Sequence, residues 1–337
     1  MKKARLYLGA ADGTVSCDLC AHHCTIKPGR RGICGVRENR GGELYSLVYG
    51  QVAAEHIDPV EKKPLFHFLP GSLTYSVATV GCNFKCLHCQ NHTLSQISGP
   101  VGEMVPYRNR EPAAIVDEAA AAGCRSISYT YSEPTVFFEF AYDCCRAAQQ
   151  KGLHNIFVSN GYMSRAAAEM LAEVLSAINI DIKSFRDDFY RSICGGRLQP
   201  VLDNVRFFRE QGVWVEVTTL IIPGLNDTDE ELRSIADFLV SCDPEIPWHV
   251  SGFHPTFKML DRPSTTAQRL LTARDIGHAA GLSYVYVGNM RGSDGETTRC
   301  PACSGTLIER SGFLVVANHL TNGRCQQCQR PVAGIWS

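Results

Sequence analysis

The chain has 337 residues, 45% hydrophobic and 20% charged, a globular composition long enough for one large core with smaller satellites. Lys plus Arg is 33 against 34 Asp plus Glu, a net charge of −1, which gives no global attraction to nucleic acid or to an anionic membrane. No apolar run approaches a spanning helix and residues 1–12 lack a signal-peptide core, so a soluble, cytoplasmic protein without a membrane partner is expected.

The 16 cysteines set the chain apart. A secreted disulfide scaffold would be short and loop-rich, whereas a reducing compartment leaves thiolates available for metals. Three regions are expected: a Cys-rich module over 1–50, a large α/β domain over 51–296, and a second cysteine module over 297–337. The first region carries Cys17-x2-Cys20-x3-Cys24-x9-Cys34, with His22 and His23 between. A structural zinc and an auxiliary iron–sulfur cluster both fit that spacing. The basic run 27–31 beside it reads as a solvated face.

In the middle region apolar, β-rich runs fall at 74–80, 126–131, 155–159, 177–182, 213–222 and 248–253, with a further run at 283–287. Helical patterns separate them. Thr228 and Glu231 form a capping box before the stripe Leu232, Ile235, Ala236 and Leu239, and Val201, Val205 and Phe208 form another stripe that Gly212 ends. Repeated strand–helix units of this kind predict a parallel sheet, open or closed into a barrel.

Directly after the first run comes Cys82-x3-Cys86-x2-Cys89. One loop can place three thiolates around a four-iron cluster and leave one iron open. Zinc with His88 or His92 as fourth ligand is the plainer alternative. Polar residues then end successive strands: Glu133, Ser159 with Asn160, Asp181 with Lys183, and His254. Cys124, Cys144, Cys145 and Cys242 read as packing residues, and Cys194 as a loop thiol without chemistry. In the last region Cys300-x2-Cys303 and Cys325-x2-Cys328 flank a hairpin-like stretch at 307–317, a four-thiolate pattern expected to hold zinc.

The Cys82-x3-Cys86-x2-Cys89 loop resembles the signature of the radical S-adenosylmethionine (SAM) superfamily. That resemblance implies a [4Fe-4S] cluster on Cys82, Cys86 and Cys89 whose open iron chelates SAM, and reductive cleavage of SAM to a 5′-deoxyadenosyl radical that takes hydrogen from a substrate. It further implies a reduced flavodoxin- or ferredoxin-type electron donor. Glu133 would hold the SAM ammonium, Ser159 and Asn160 the ribose or carboxylate, and Asp181 with Lys183 the carboxylate region, while His254 would contact the nucleoside. Beyond this loop, Gly29-x2-Gly32-x-Cys34-x-Val36-Arg37-x-Asn39, Asp58-Pro59-x-Glu61-Lys62-Lys63-Pro64-Leu65, Glu216-x-Thr218-Thr219-Leu220-Ile221-Ile222-Pro223-Gly224-x-Asn226-Asp227 and Gly334-Ile335-Trp336 are similar to the radical SAM member of the AmmeMemoRadiSam system. That group is related to the activating enzymes of pyruvate formate-lyase and implies a partial (β/α)6 barrel and Memo-type and AMMECR-type partners. One departure is that Ser304 and Gln329 follow Cys303 and Cys328 where such modules carry glycine. Two other functions are weighed: a glycyl-radical activase, and a non-catalytic iron–sulfur or zinc protein for electron transfer or assembly. Nucleic-acid binding is disfavoured by the neutral charge and the lack of a basic, aromatic surface.

Overall fold

In the computed structural model, which describes residues 1–97, 105–289 and 295–337, an eight-stranded sheet forms the centre. Its strands are β1 (Ala54–Pro59), β2 (Leu73–Ala78), β3 (Ser126–Tyr129), β4 (His154–Ser159), β5 (Ala177–Asp181), β6 (Trp214–Ile221), β7 (Trp248–Gly252) and β8 (Val285–Gly288). They lie side by side in chain order. Strands β2 to β8 are parallel, while β1 runs antiparallel to β2 with Ala54 opposite Ala78 and Pro59 opposite Leu73. The two edge strands, β1 and β8, do not pair with each other among the described residues, so the sheet is open.

All six expected strands are present, and the further run at 283–287 forms β8, a seventh parallel strand. Strand β1 is the addition. Its Glu55, His56 and Asp58 give no apolar run, as suits an edge strand with an exposed middle. The parallel strands are covered by α1 (Pro112–Ala121), α2 (Phe138–Gln150), α3 (Arg165–Ala172), α4 (Gln199–Glu210), α5 (Asp229–Cys242) and α6 (Ala267–Ala280). Both expected apolar stripes, on α4 and α5, are buried. The capping box is only half made: Thr228 Oγ1 accepts from Glu231 N at 3.3 Å, but the Glu231 carboxylate turns instead to Ser184 Oγ and Phe185 N.

Segment 60–69 plugs the sheet below. Val60, Leu65, Phe68 and Leu69 pack on Ile156, Ala177 and Trp214, at or near the N-terminal ends of β4, β5 and β6. The chain terminus completes this floor, because Leu69 N donates to Ile335 O and Ile335 N to His67 O, both at 2.7 Å. The Cys-rich N-terminal stretch shares the main core, contributing Val15, Leu19, Ile26, Val36 and Leu44. Buried Arg37 fixes it to α2 through a two-pronged pair with Glu139, at 2.9 and 3.1 Å. At the other end, the antiparallel hairpin Thr306–Ser311 and Leu314–Asn318 covers the β8 side through a smaller core of Phe66, Tyr284, Tyr286, Leu307, Ile308 and Val332.

Candidate functional site

The cysteine loop leaves β2 through Gly81, whose φ is +108°. A Cβ there would stand 2.7 Å from Val36 Cγ1 and 3.3 Å from the Cys34 carbonyl oxygen, so only glycine fits between the N-terminal stretch and the loop. The loop is then clamped from the far side, where Lys85 N donates to Cys194 O at 2.7 Å and Leu87 N to Ile193 O at 3.1 Å. Phe84 presses so closely on Gly196 that a Cβ would lie 2.3 Å from its ring.

Cys82, Cys86 and Cys89 line one wall of a cavity of about 1240 Å³ at the C-terminal ends of the strands. The same cavity is lined by Glu133, Ser159, Asn160, Asp181, Lys183 and His254. Every residue expected in the central site is therefore brought to it. The three sulfurs do not close to single-ion spacing with each other or with His88 or His92, in contrast to the C-terminal four. Three thiols spread around one cavity suit a larger metal group with one corner left open. His92 stacks on Phe257, with ring centroids 4.6 Å apart, and burial pushes the pKa of His88, whose Nδ1 has no hydrogen-bond partner among the described residues, down to about 3.

Glu133 is the anchor of the polar wall. Its Oε1 accepts from Thr135 N at 3.0 Å, Thr135 Oγ1 at 2.6 Å and Ser159 Oγ at 2.8 Å, and its Oε2 accepts from Asn160 N at 2.8 Å. Burial raises its pKa even against these donors. Asn160 is committed elsewhere, for its Nδ2 donates to Asn83 Oδ1 at 2.7 Å and its Oδ1 accepts from Tyr162 N. It thus braces the cysteine loop. Lys183 Nζ lies 3.0 Å from Asp181 Oδ2. Burial opposes its charge, but Asp181, Cys86 and Cys194 outweigh burial and hold its pKa well above the usual lysine range. His254 sits at the exposed rim, 3.1 Å from Ser264 Oγ.

Three contributions were not read from sequence. Cys194 is fully buried beside Cys86, whose pKa it lowers, so this thiol lies against the cysteine loop. Asp58 gathers Lys62, Lys63, Ser76 and Tyr131 around one carboxylate beside the cavity. There burial opposes the Asp58 charge, but the two lysines and Tyr131 hold its pKa well below the ordinary range. Finally, Arg310, Ser311 and Phe313 of the C-terminal hairpin reach the cavity as its lateral wall. The sequence signals for these are Cys194 itself and the 58–65 motif, whose pattern alone assigns it no role.

The C-terminal thiols form a distinct site. Cys300 and Cys328 sulfurs are 3.5 Å apart, Cys303 and Cys325 3.6 Å, and all four lie within 4.8 Å of one another. Ser304 and Gln329 both take φ +60°, so the left-handed turn after each second cysteine is kept without glycine.

Comparison with known proteins places these features in context. The pattern of the radical SAM superfamily matches residues 76–239. An uncharacterized protein of Methanocaldococcus jannaschii is 44% identical over 331 residues, covering 97% of this chain and 98% of its own. The pyruvate formate-lyase 1-activating enzyme of Escherichia coli is 24% identical over 189 residues, 52% of this chain and 73% of that enzyme. Among solved structures, Streptococcus suis SuiB bound to S-adenosylmethionine shares the fold at a TM-score of 0.52 and 14% identity, over 69% of this chain and 53% of that one.

Proposed function

The chain belongs to the radical SAM superfamily and is a radical SAM enzyme, and from that premise we propose that Cys82, Cys86 and Cys89 hold a [4Fe-4S] cluster at which SAM is bound and cleaved. The observation that carries the proposal is the convergence of three separated thiols and the Glu133 network on one cavity. When bound and reduced, such a cluster supplies one electron to the SAM sulfonium, which breaks the C5′–S bond and yields methionine and a 5′-deoxyadenosyl radical.

The chain's own residues do the rest. Glu133 offers Oε2, which has one donor already and room for another, to the SAM ammonium. Ser159 and Thr135 fix that carboxylate, and Asn160 fixes the loop that carries the thiols. Lys183, held charged by Asp181, faces the SAM carboxylate. The cavity extends past the SAM-binding wall to Lys63, His249 and Arg310, space for an organic substrate. A zinc ion at Cys300, Cys303, Cys325 and Cys328 staples the hairpin that closes this space.

The narrower form of the proposal is membership of the AmmeMemoRadiSam system, with Memo-type and AMMECR-type proteins as partners and a flavodoxin- or ferredoxin-type donor. It rests on the motif resemblance alone. A second reading, activation of a glycyl-radical enzyme, is favoured by the likeness to pyruvate formate-lyase 1-activating enzyme; a partner's glycine loop would then enter the same cavity.

Electron paramagnetic resonance of the anaerobically reconstituted, dithionite-reduced protein tests the site. SAM added to it is expected to change the cluster signal, because it occupies the open iron. A signal indifferent to SAM would overturn the assignment.

A further inference from the structure

Cys17, Cys20, Cys24 and Cys34 take no part in that reaction, and their arrangement is unlike that of the C-terminal four. All four are free thiols. Together they line one small internal cavity, closed by His22, Arg37 and Val136. Cys17, Cys20 and Cys34 are buried, and burial raises the pKa of each. His23 is turned outward to Asp18, at 2.9 Å.

The spacing of the sulfurs decides what such a ring can hold. A single tetrahedral zinc binds thiolates at 2.3 Å and so sets their sulfurs about 3.8 Å apart. The C-terminal four meet this, at 3.5 and 3.6 Å across two of their pairs. The N-terminal four do not, since among the described residues no three of their sulfurs fall within the 4.8 Å limit that the C-terminal group satisfies, although all of them face one cavity. The central trio behaves in the same way. A four-iron cluster binds its thiolates at separate corners, and four of them close it completely.

We propose that Cys17, Cys20, Cys24 and Cys34 bind an auxiliary four-iron, four-sulfide cluster, fully ligated by the protein, and that the site is not a zinc knuckle. Its position gives it a use. The Cys34 carbonyl and Val36 abut Gly81, the residue before Cys82, and His22 Nε2 donates to Asn83 O at 2.8 Å. Tyr162 bridges the same gap, its ring 4.9 Å from those of both His22 and Phe84. A one-electron donor of the flavodoxin or ferredoxin type would reduce the auxiliary cluster, and passing that electron to the central cluster would oxidise it again, with no atom transferred. This last step rests on the proposed function; the metal assignment does not.

The test uses the full chain with Cys82, Cys86 and Cys89 all replaced by Ala, reconstituted anaerobically with iron and sulfide. About four irons and four sulfides per chain should remain, with an electron paramagnetic resonance signal on dithionite reduction. Adding Cys17→Ser and Cys20→Ser to that variant should abolish both. Zinc in place of iron, no metal at the site, or iron that survives the added serines would overturn the proposal. Should the triple variant not fold, the wild-type count decides: about eight irons are expected, and about four with two zinc ions would contradict it. Cleavage of SAM by the wild type reads the proposed function separately, so failure of either is distinguishable.

Discussion

At the residue scale, Glu133 and Cys194 carry the sharpest expectations. Glu133 is a buried carboxylate with four donors already in place, three on Oε1 and one on Oε2. Glu133→Gln would put an amide where a carboxylate accepts, weakening the contact with a cationic ligand. We expect SAM affinity to fall roughly 10- to 100-fold, the worth of a hydrogen bond to a charged group, with the cluster spectrum unchanged. Equilibrium binding of SAM measures this, and an unaltered affinity removes Glu133 from the SAM site. The buried Cys194 thiol lies beside Cys86 and lowers its pKa, and a thiol that donates to a ligand sulfur would raise the potential of an iron–sulfur cluster. Cys194→Ala should retain the central cluster and make its midpoint potential more negative. A redox titration that finds the wild-type potential would show that Cys194 does not act on the ligated sulfur.

At the scale of elements, the floor segment shows both the reach and the limit of the sequence. Its motif was visible as Asp58 to Leu65, yet nothing local says where it goes. Glu216 on β6 decides that, because its buried carboxylate accepts from Phe66 N at 3.0 Å and His67 N at 2.8 Å across some 150 residues of chain. The strands and helical stripes were legible because burial imposes a period on neighbouring residues. Contacts such as Glu133 with Ser159, or Arg310 with the Phe66 carbonyl, depend on how distant elements dock and leave no periodic trace. Edge strand β1 escaped for a related reason, since its middle residues His56 and Ile57 are exposed and impose no apolar period.

The same floor makes a pH prediction. His67 is buried between Ala333 O at 2.7 Å and Tyr286 OH at 2.5 Å, and burial pushes its pKa from 6.5 down to about 4. The folded chain keeps it neutral where the unfolded chain takes up a proton. Its contribution to stability is therefore complete above pH 6.5 and lost as the pH falls toward about 4, by up to about 3 kcal/mol. Unfolding midpoints at pH 7 and pH 5 should differ less for His67→Gln than for the wild type; equal differences would show that another group governs the acid limb.

At the scale of the whole molecule, the open sheet is closed by pieces from both ends of the chain. The N-terminal stretch is locked to α2 by Arg37 and Glu139, whereas the C-terminal module rests on a small core and four thiols. So small a core would depend on the metal proposed for those thiols. Chelation of that metal should speed amide exchange across Thr306–Ser311, Leu314–Asn318 and the tail around Ile335, and should leave α2, held by Arg37 of the N-terminal stretch, protected. Exchange unchanged in the hairpin would mean that the module folds without the ion. Because Arg310 and Phe313 wall the cavity, the same loosening would open the active space to water.

The most direct measurement is mass spectrometry for 5′-deoxyadenosine and methionine after anaerobic incubation of the reconstituted protein with dithionite and SAM, beside a Cys86→Ala control. The account predicts both products from the wild type and neither from the variant, since loss of one thiolate from the loop dismantles the site that holds SAM. Products persisting in Cys86→Ala, or a wild type that carries the central cluster and leaves SAM intact, would contradict it.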